Sequence, residues 1–132
     1  MSPIKATRSN PQEYTITNNS GASMRVSLPG TPGAFSPEEL LQAAVAGCAV
    51  LSAEAQLNHH LGEEFQAEAT VNSTKAEGLI AELLLTLNVD VSALDPTKVD
   101  KLIAGTAAKI EKLCAVKRSV GKGIPTTTVI VP

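Results

Sequence analysis

"SPEELLQAAVAGCAVLSAEA", Ser36 to Ala55, is the stretch from which the rest of the chain is read. Ser36 suits a helix N-cap, Pro37 suits the first helical position, and Glu39 completes an S-x-x-E capping box. Glu38 and Glu39 also favour the positive end of the helix dipole. From Ala43 to Leu51, nine residues carry no charge and no hydrogen-bonding side chain except the thiol of Cys48. The pattern predicts a helix to about Asn58, before Gly62. Its middle is apolar all round, so it should be enclosed rather than lie on a surface.

Upstream, Ile4–Arg8 and "EYTITN", Glu13 to Asn18, read as strands. "NNSG", Asn18 to Gly21, is a turn, and "ASMRVSL" follows as the returning strand. "PGTPGAF", Pro29 to Phe35, is a loop. Downstream, "FQAEATVNST", Phe65 to Thr74, alternates apolar and polar residues. After "KAEG", apolar residues recur at period two from Leu79 to Val91, with Ile80 and Leu84 as exceptions. A second helix opens at Asp95-Pro96 or Thr97. Val99, Leu102, Ile103, Ala107, Ile110, Leu113 and Cys114 recur along it at helical spacing. It breaks around Cys114, and "AVKRSV" ends in the stop "GKG". "TTTVIV", Thr126 to Val131, closes the chain as a last strand.

The order βββ–α–ββ–α–β predicts an α+β fold, with residues 1–132 as one domain. One three-stranded sheet is too little to cover so apolar a helix. An obligate homodimer, wrapping the helix in antiparallel sheets from several sides, is the expected remedy.

Composition excludes several functions. Tyr14, Phe35 and Phe65 are the only aromatics, too few for the stacking platforms of single-stranded nucleic-acid binders. The net charge of −2 gives no basic footprint for a phosphate backbone. Lys5 and Arg8 are followed by no apolar signal-peptide core, and Leu40 to Ala53 is short for a bilayer span. The expectation is a soluble, cytoplasmic protein with no nucleic-acid or membrane partner. Adjacent His59 and His60 point in different directions on a helix and lack a third ligand, so no metal is expected. "GKG" lacks the rest of a phosphate loop.

Two cysteines in such a chain are buried spacers, a redox pair or, less readily, metal ligands. Alone, either can be a small buried hydrophobe. Together, each on an apolar helix, they point toward a redox pair.

At this point the sequence resembles a known family. "SPEELLQAAVAGC" is similar to the "NPEELLAAAHAGC" block of the OsmC/Ohr family, and "KLCAVKRSV" stands where that family carries its second cysteine. The resemblance implies an intertwined homodimeric thiol peroxidase that reduces organic hydroperoxides. It needs no cofactor and is recharged by a dithiol such as a lipoylated protein. By position, Cys48 is the peroxidatic cysteine, Cys114 the resolving one, and Glu38 the carboxylate of an Arg–Glu pair that tunes the thiolate. Arg25 fits one family placement of the arginine and Arg8 another; Arg25 is preferred. A binding module on the same fold, with little turnover, is the competing function. The chain departs from the family at Ser36, where Asn is commoner, and at Ala115, where Pro is common; Lys117 and Arg118 add positive charge near Cys114.

The residue types suit this chemistry. A thiolate attacks a peroxide oxygen and becomes a sulfenic acid. Burial resists ionisation of a thiol, so the site must supply positive charge. Cys48 lies beyond the reach of its own helix N-terminus, which leaves the task to an arginine held by a carboxylate. Glu38 precedes Cys48 by ten residues. On one helix that is a rise of about 15 Å and an azimuth of about 80°. A glutamate side chain does not span it, so the partner chain's Glu38 is expected to complete the site.

Overall fold

The computed structural model describes residues 2–132. The chain divides into two compact units, one ending at Ala43 and one running from Ala44 to Pro132.

The first unit is a three-stranded antiparallel sheet in the order β1 (Lys5–Asn10), β2 (Glu13–Thr17), β3 (Ser23–Val26), followed by the start of α1 (Pro37–Leu61). Thr7, Thr15 and Arg25 lie across from one another on one face, and Arg8, Tyr14 and Val26 on the other. The register shifts between Arg8 and Asn10, so Ser9 is a bulge. The loop after β3 returns alongside it: Phe35 N–H donates to the Arg25 carbonyl and Ser27 N–H to the Phe35 carbonyl. The capping box forms in both directions. Ser36 N–H donates to Glu39 Oε1 at 2.8 Å, and Glu39 N–H to Ser36 Oγ at 3.2 Å.

In the second unit α1 continues to Leu61, a turn beyond expectation, before Gly62. β4 (Ala67–Ala76) and β5 (Leu79–Val89) form a hairpin closed by Glu77 and Gly78, both at positive φ. That two-residue turn matches the twist of paired strands and favours glycine at one position. A register shift between Thr74 and Lys75 turns Ile80 to the inner side, which resolves one exception in the alternation. Leu84 stays exposed opposite Asn72. Asp95 accepts from Thr97 N–H and opens a 3₁₀ turn (Pro96–Lys98) leading into α2 (Val99–Leu113); α3 (Ala115–Lys122) follows after Cys114.

The core of this unit joins Ala49, Ala53 and Leu57 of α1 to Leu102 and Ile110 of α2 and to Cys114. Leu85, Leu87 and Val89 of β5 pack against it. The small residues on α1 allow close approach, and a side chain at Gly105 of α2 would collide with Gln56. Thr106 rather than Ala107 lies in the buried stripe, and Ile103 and Leu113 point outward, because the stripe follows a four-residue spacing.

One chain buries a single stripe of α1 and leaves Leu51 75% exposed, which is the incomplete cover expected of one chain's sheet. Two expectations are corrected. The helix, read as short for a bilayer span, is long and apolar enough to cross a membrane by length and composition alone. Here its buried stripe is instead the core of the second unit. Second, Thr126–Val131 forms no strand. Residues 124–132 carry no regular structure, and Val129, Ile130 and Val131 are at least 80% exposed. A strand needs a neighbour for its backbone hydrogen bonds, and none of the described strands pairs with this segment.

Candidate active site

Cys48 and Cys114 come together in the second unit. Cys48 sits mid-way along α1, half-buried, on the edge of the core. Cys114 is fully buried at the break between α2 and α3. Its N–H closes α2 on the Ile110 carbonyl, and its own carbonyl accepts from Arg118 N–H, opening α3. The cysteine therefore sits where one helix ends and the next begins, directly before the free N–H groups of a first helical turn.

Those groups face Cys48. The N–H of Val116 is the largest influence on its thiol, followed by the Cys114 side chain; Ser52 and the N–H of Ala115 add smaller ones. Together they hold the Cys48 pKa below the ordinary thiol value, against the opposing effect of burial. Cys114 moves the other way. Desolvation comes first, then its hydrogen bond with Cys48, and both push its thiol up. Lys117 draws it partly back, while also pairing with Glu111 at 2.5 Å. The two thiols are thus pushed in opposite directions, Cys48 down and Cys114 up.

Hydrogen-bond donors thus reach Cys48 besides the arginine that the sequence called for. The first turn of α3 supplies donors to Cys48 from within the chain. The sequence carried a faint signal: a proline at position 115 would have no N–H, and Ala115 restores one. Ser52 was also missed, although it lies one helical turn after Cys48.

The other candidates lie in the first unit or at its border. Arg25 projects from β3 and donates from both Nε and Nη2 to Oε1 of Glu13, the Nε bond being 2.6 Å. Glu13 was not foreseen. It is a diagonal neighbour of Arg25 on one sheet face, a relation visible only once the β2–β3 register is known. Arg8 occupies the opposite face of that sheet. Glu38 lies, half-buried, in the first turn of α1. Among the described residues no group of three or more His, Cys, Asp or Glu side chains could hold a metal. The rings of His59 and His60 meet edge to face, with centroids 4.9 Å apart.

The two thiols should titrate in order, Cys48 before Cys114. Alkylation of Cys48 is expected to rise with pH about a midpoint below the ordinary thiol value, with Cys114 reacting only at higher pH. Mass spectrometry of the alkylated peptides across a pH series measures both. A depressed thiol pKa adds folding stability above the unfolded-state pKa, and that contribution is lost as pH falls through the folded value. Raised Cys114 has the opposite sign and loses stability as pH climbs through the unfolded thiol range. Equal midpoints for the two thiols would contradict the geometry.

Comparison with known proteins agrees with this architecture. A Mycobacterium tuberculosis protein described as uncharacterised is 27% identical over 128 residues, covering 93% of this chain and 91% of its own. The crystal structure of an OsmC-like protein from Mycoplasma pneumoniae superposes with a TM-score of 0.68 at 13% identity, over 92% of this chain and 87% of that one. The organic hydroperoxide resistance protein OhrB of Bacillus subtilis superposes with a TM-score of 0.58 at 23% identity, over 92% and 91%. The model of the family described as OsmC-like protein matches residues 30–129, which include Glu38, Cys48 and Cys114. With three quarters of its length matched by that family and its strands and helices in the same order, this chain belongs to the OsmC-like family.

Proposed function

We propose that the protein is a dithiol-dependent peroxidase that reduces organic hydroperoxides. The observation that carries the proposal is the meeting of the two cysteines, Cys48 on α1 and the fully buried Cys114 at the break between α2 and α3, with the Cys48 thiol held down by the N–H of Val116 and the Cys114 thiol pushed up by burial. The Cys48 thiolate attacks one peroxide oxygen of ROOH. An S–O bond forms, the O–O bond breaks, and the alkoxide leaves and takes a proton to become ROH. The Cys114 sulfur then attacks the sulfenic acid, forming a disulfide and releasing water. A dithiol reductant, such as a lipoylated protein, is oxidised to its disulfide and regenerates both cysteines. Arg25 and Glu38 serve as the charged partners that steady the thiolate and the departing oxygen.

The working unit is a homodimer, in the cytoplasm. Two observations support the dimer. Leu51 on α1 is largely exposed, as are Val129 to Val131, and surface of this kind marks an interaction site. The β-branched tail also has the composition of a strand without a ladder in its own chain, and the partner supplies one.

One equivalent of cumene hydroperoxide should convert the pair to a Cys48–Cys114 disulfide. Intact-mass measurement should show a loss of two hydrogens per chain. Dihydrolipoamide should then restore the thiols and support repeated turnover. A stable sulfinic acid on Cys48 with Cys114 still free would sink the resolving role. A protein whose two thiols survive the hydroperoxide unchanged is no peroxidase.

A further inference from the structure

Cys114 is bracketed by charge on both sides of the helix break. Glu111 precedes it in the last turn of α2, and Lys117 follows it in the first turn of α3. The Lys117 ammonium reaches back across the break to Glu111 Oε1 at 2.5 Å, and Arg118 Nη1 donates to the Lys112 carbonyl at 3.3 Å. Two side chains of α3 thus return to the end of α2, past the fully buried Cys114. With side chains 37% and 66% exposed, the Lys117–Glu111 pair adds little to stability. Its consequence is positional: it sets a positive charge beside the joint that holds the Cys114 sulfur.

Burial acts first on that sulfur and the hydrogen bond with Cys48 second. Both push its thiol up, and so does the charge of an ionised Cys48. Lys117 opposes them twice, through its N–H and through its ammonium. That N–H stands third in α3, where the side chain of a capping residue finds its donor, but no capping hydrogen bond of ordinary geometry closes there. The sulfur is drawn toward α3 without being locked in a cap. Cys48 from α1 and Lys117 from α3 are the titratable groups acting on it, with Glu111 of α2 behind Lys117. The β5 side chains packed against the same core, Leu85, Leu87 and Val89, are apolar.

We infer that Lys117 is the positioning residue of the resolving step: its ammonium, set beside the α2–α3 break, activates the Cys114 sulfur once Cys48 has been oxidised. The inference rests on the peroxidase function proposed above and deepens its second half. Lys117 acts through Cys114 and not on the hydroperoxide. In the step it assists, Cys114 gives up its S–H proton and its sulfur attacks the sulfenic sulfur of Cys48. The S–S bond forms and the S–O bond breaks. The sulfenic sulfur is reduced, the Cys114 sulfur is oxidised, and the departing hydroxide takes up a proton to leave as water. The same charges order the two steps. An anionic Cys48 disfavours a second anion at Cys114. A sulfenic Cys48 carries no such charge, so its repulsion ends while the attraction of Lys117 remains.

The test replaces hydroperoxide by 2,2′-dithiodipyridine, an uncharged disulfide. Attack by Cys48 releases one thiopyridone and leaves Cys48 as a neutral mixed disulfide, a stand-in for its sulfenic acid. Attack by Cys114 on that disulfide then releases the second thiopyridone. Stopped-flow absorbance of the full-length protein should show two phases, the first dependent on reagent concentration and the second independent of it. Cys114→Ser should lose the second phase. Lys117→Met keeps the backbone N–H and the length of the side chain but removes its charge. It should slow the second phase about 3-fold or more at neutral pH and move the pH midpoint of that phase upward. Lys117→Arg restores the charge and should bring the rate back to within about twofold of wild type. A merely structural lysine would not shift the pH profile. A second phase of wild-type rate and midpoint in Lys117→Met overturns the inference, and so does a Lys117→Arg variant as slow as Lys117→Met. A wild-type protein with no second phase, or a second phase that survives Cys114→Ser, overturns it as well. If the wild type leaves cumene hydroperoxide intact, the peroxidase function fails separately, and the second phase with dithiodipyridine still decides whether Lys117 activates Cys114.

Discussion

Replacing Cys48 by serine should abolish hydroperoxide turnover, a loss of about 10³-fold or more, the scale seen when a reacting nucleophile is removed. Serine preserves the size of the side chain at a half-buried position on α1, so the helix and the core stripe of Ala49, Ala53 and Leu57 should stay folded. The hydroxyl stays protonated, because an alcohol starts far above a thiol and the donors of α3 that draw the Cys48 thiol down leave it there. Cys114→Ser should behave differently. It removes the desolvated thiol proposed to resolve the sulfenic acid and spares the α3 N–H groups that draw the Cys48 thiol down. One oxidation of Cys48 should therefore proceed, after which turnover stops. Rapid-quench alkylation with mass analysis reads both variants. If Cys114→Ser instead blocks the first oxidation, the roles of the two cysteines are reversed.

Mixing two inactive variants should restore activity. α1 is unbroken from Pro37 to Leu61, so Glu38 and Cys48 of one chain stand about 15 Å apart along it. If Glu38 belongs to the chemistry, as proposed, it serves the Cys48 of the partner. A two-fold axis then makes two shared sites per dimer. Cys48→Ser and Glu38→Ala homodimers should each be inactive or nearly so. A mixed dimer contains one site with both defects and one with neither, so full subunit exchange should return about a quarter of wild-type activity. Exchange is confirmed by native mass spectrometry. Exchanged heterodimers that show no recovery would place Glu38 in its own chain's site or outside the chemistry.

Local chemistry explains why so much of the fold was legible. The capping box at Ser36 and Glu39 involves residues within one turn, and it forms as expected. The helix core, the β4–β5 alternation and the Asp95 cap of the turn leading into α2 likewise depend on neighbours in the chain. Where a reading needed distant partners, it failed or stayed incomplete. Period two placed Ile80 on the wrong side because a bulge changes parity, and no composition marks that bulge. β-propensity marked Thr126–Val131 as a strand, but pairing is not a property of the segment itself.

The candidate site divides along the same line. The sequence by itself determined that Cys48 rides a capped, apolar helix and that Cys114 falls at a helix break, because caps, periodicity and breaks are local. Tertiary structure alone decided that the first turn of α3 faces Cys48, since that contact joins positions 48 and 116 across the core. It also decided that Arg25 is held by Glu13, because the register of β2 against β3 and the bulge at Ser9 set which side chains share a face. Hydrogen bonds reach only about 3 Å, so which groups meet is fixed by how the chain packs rather than by how far apart they lie along it.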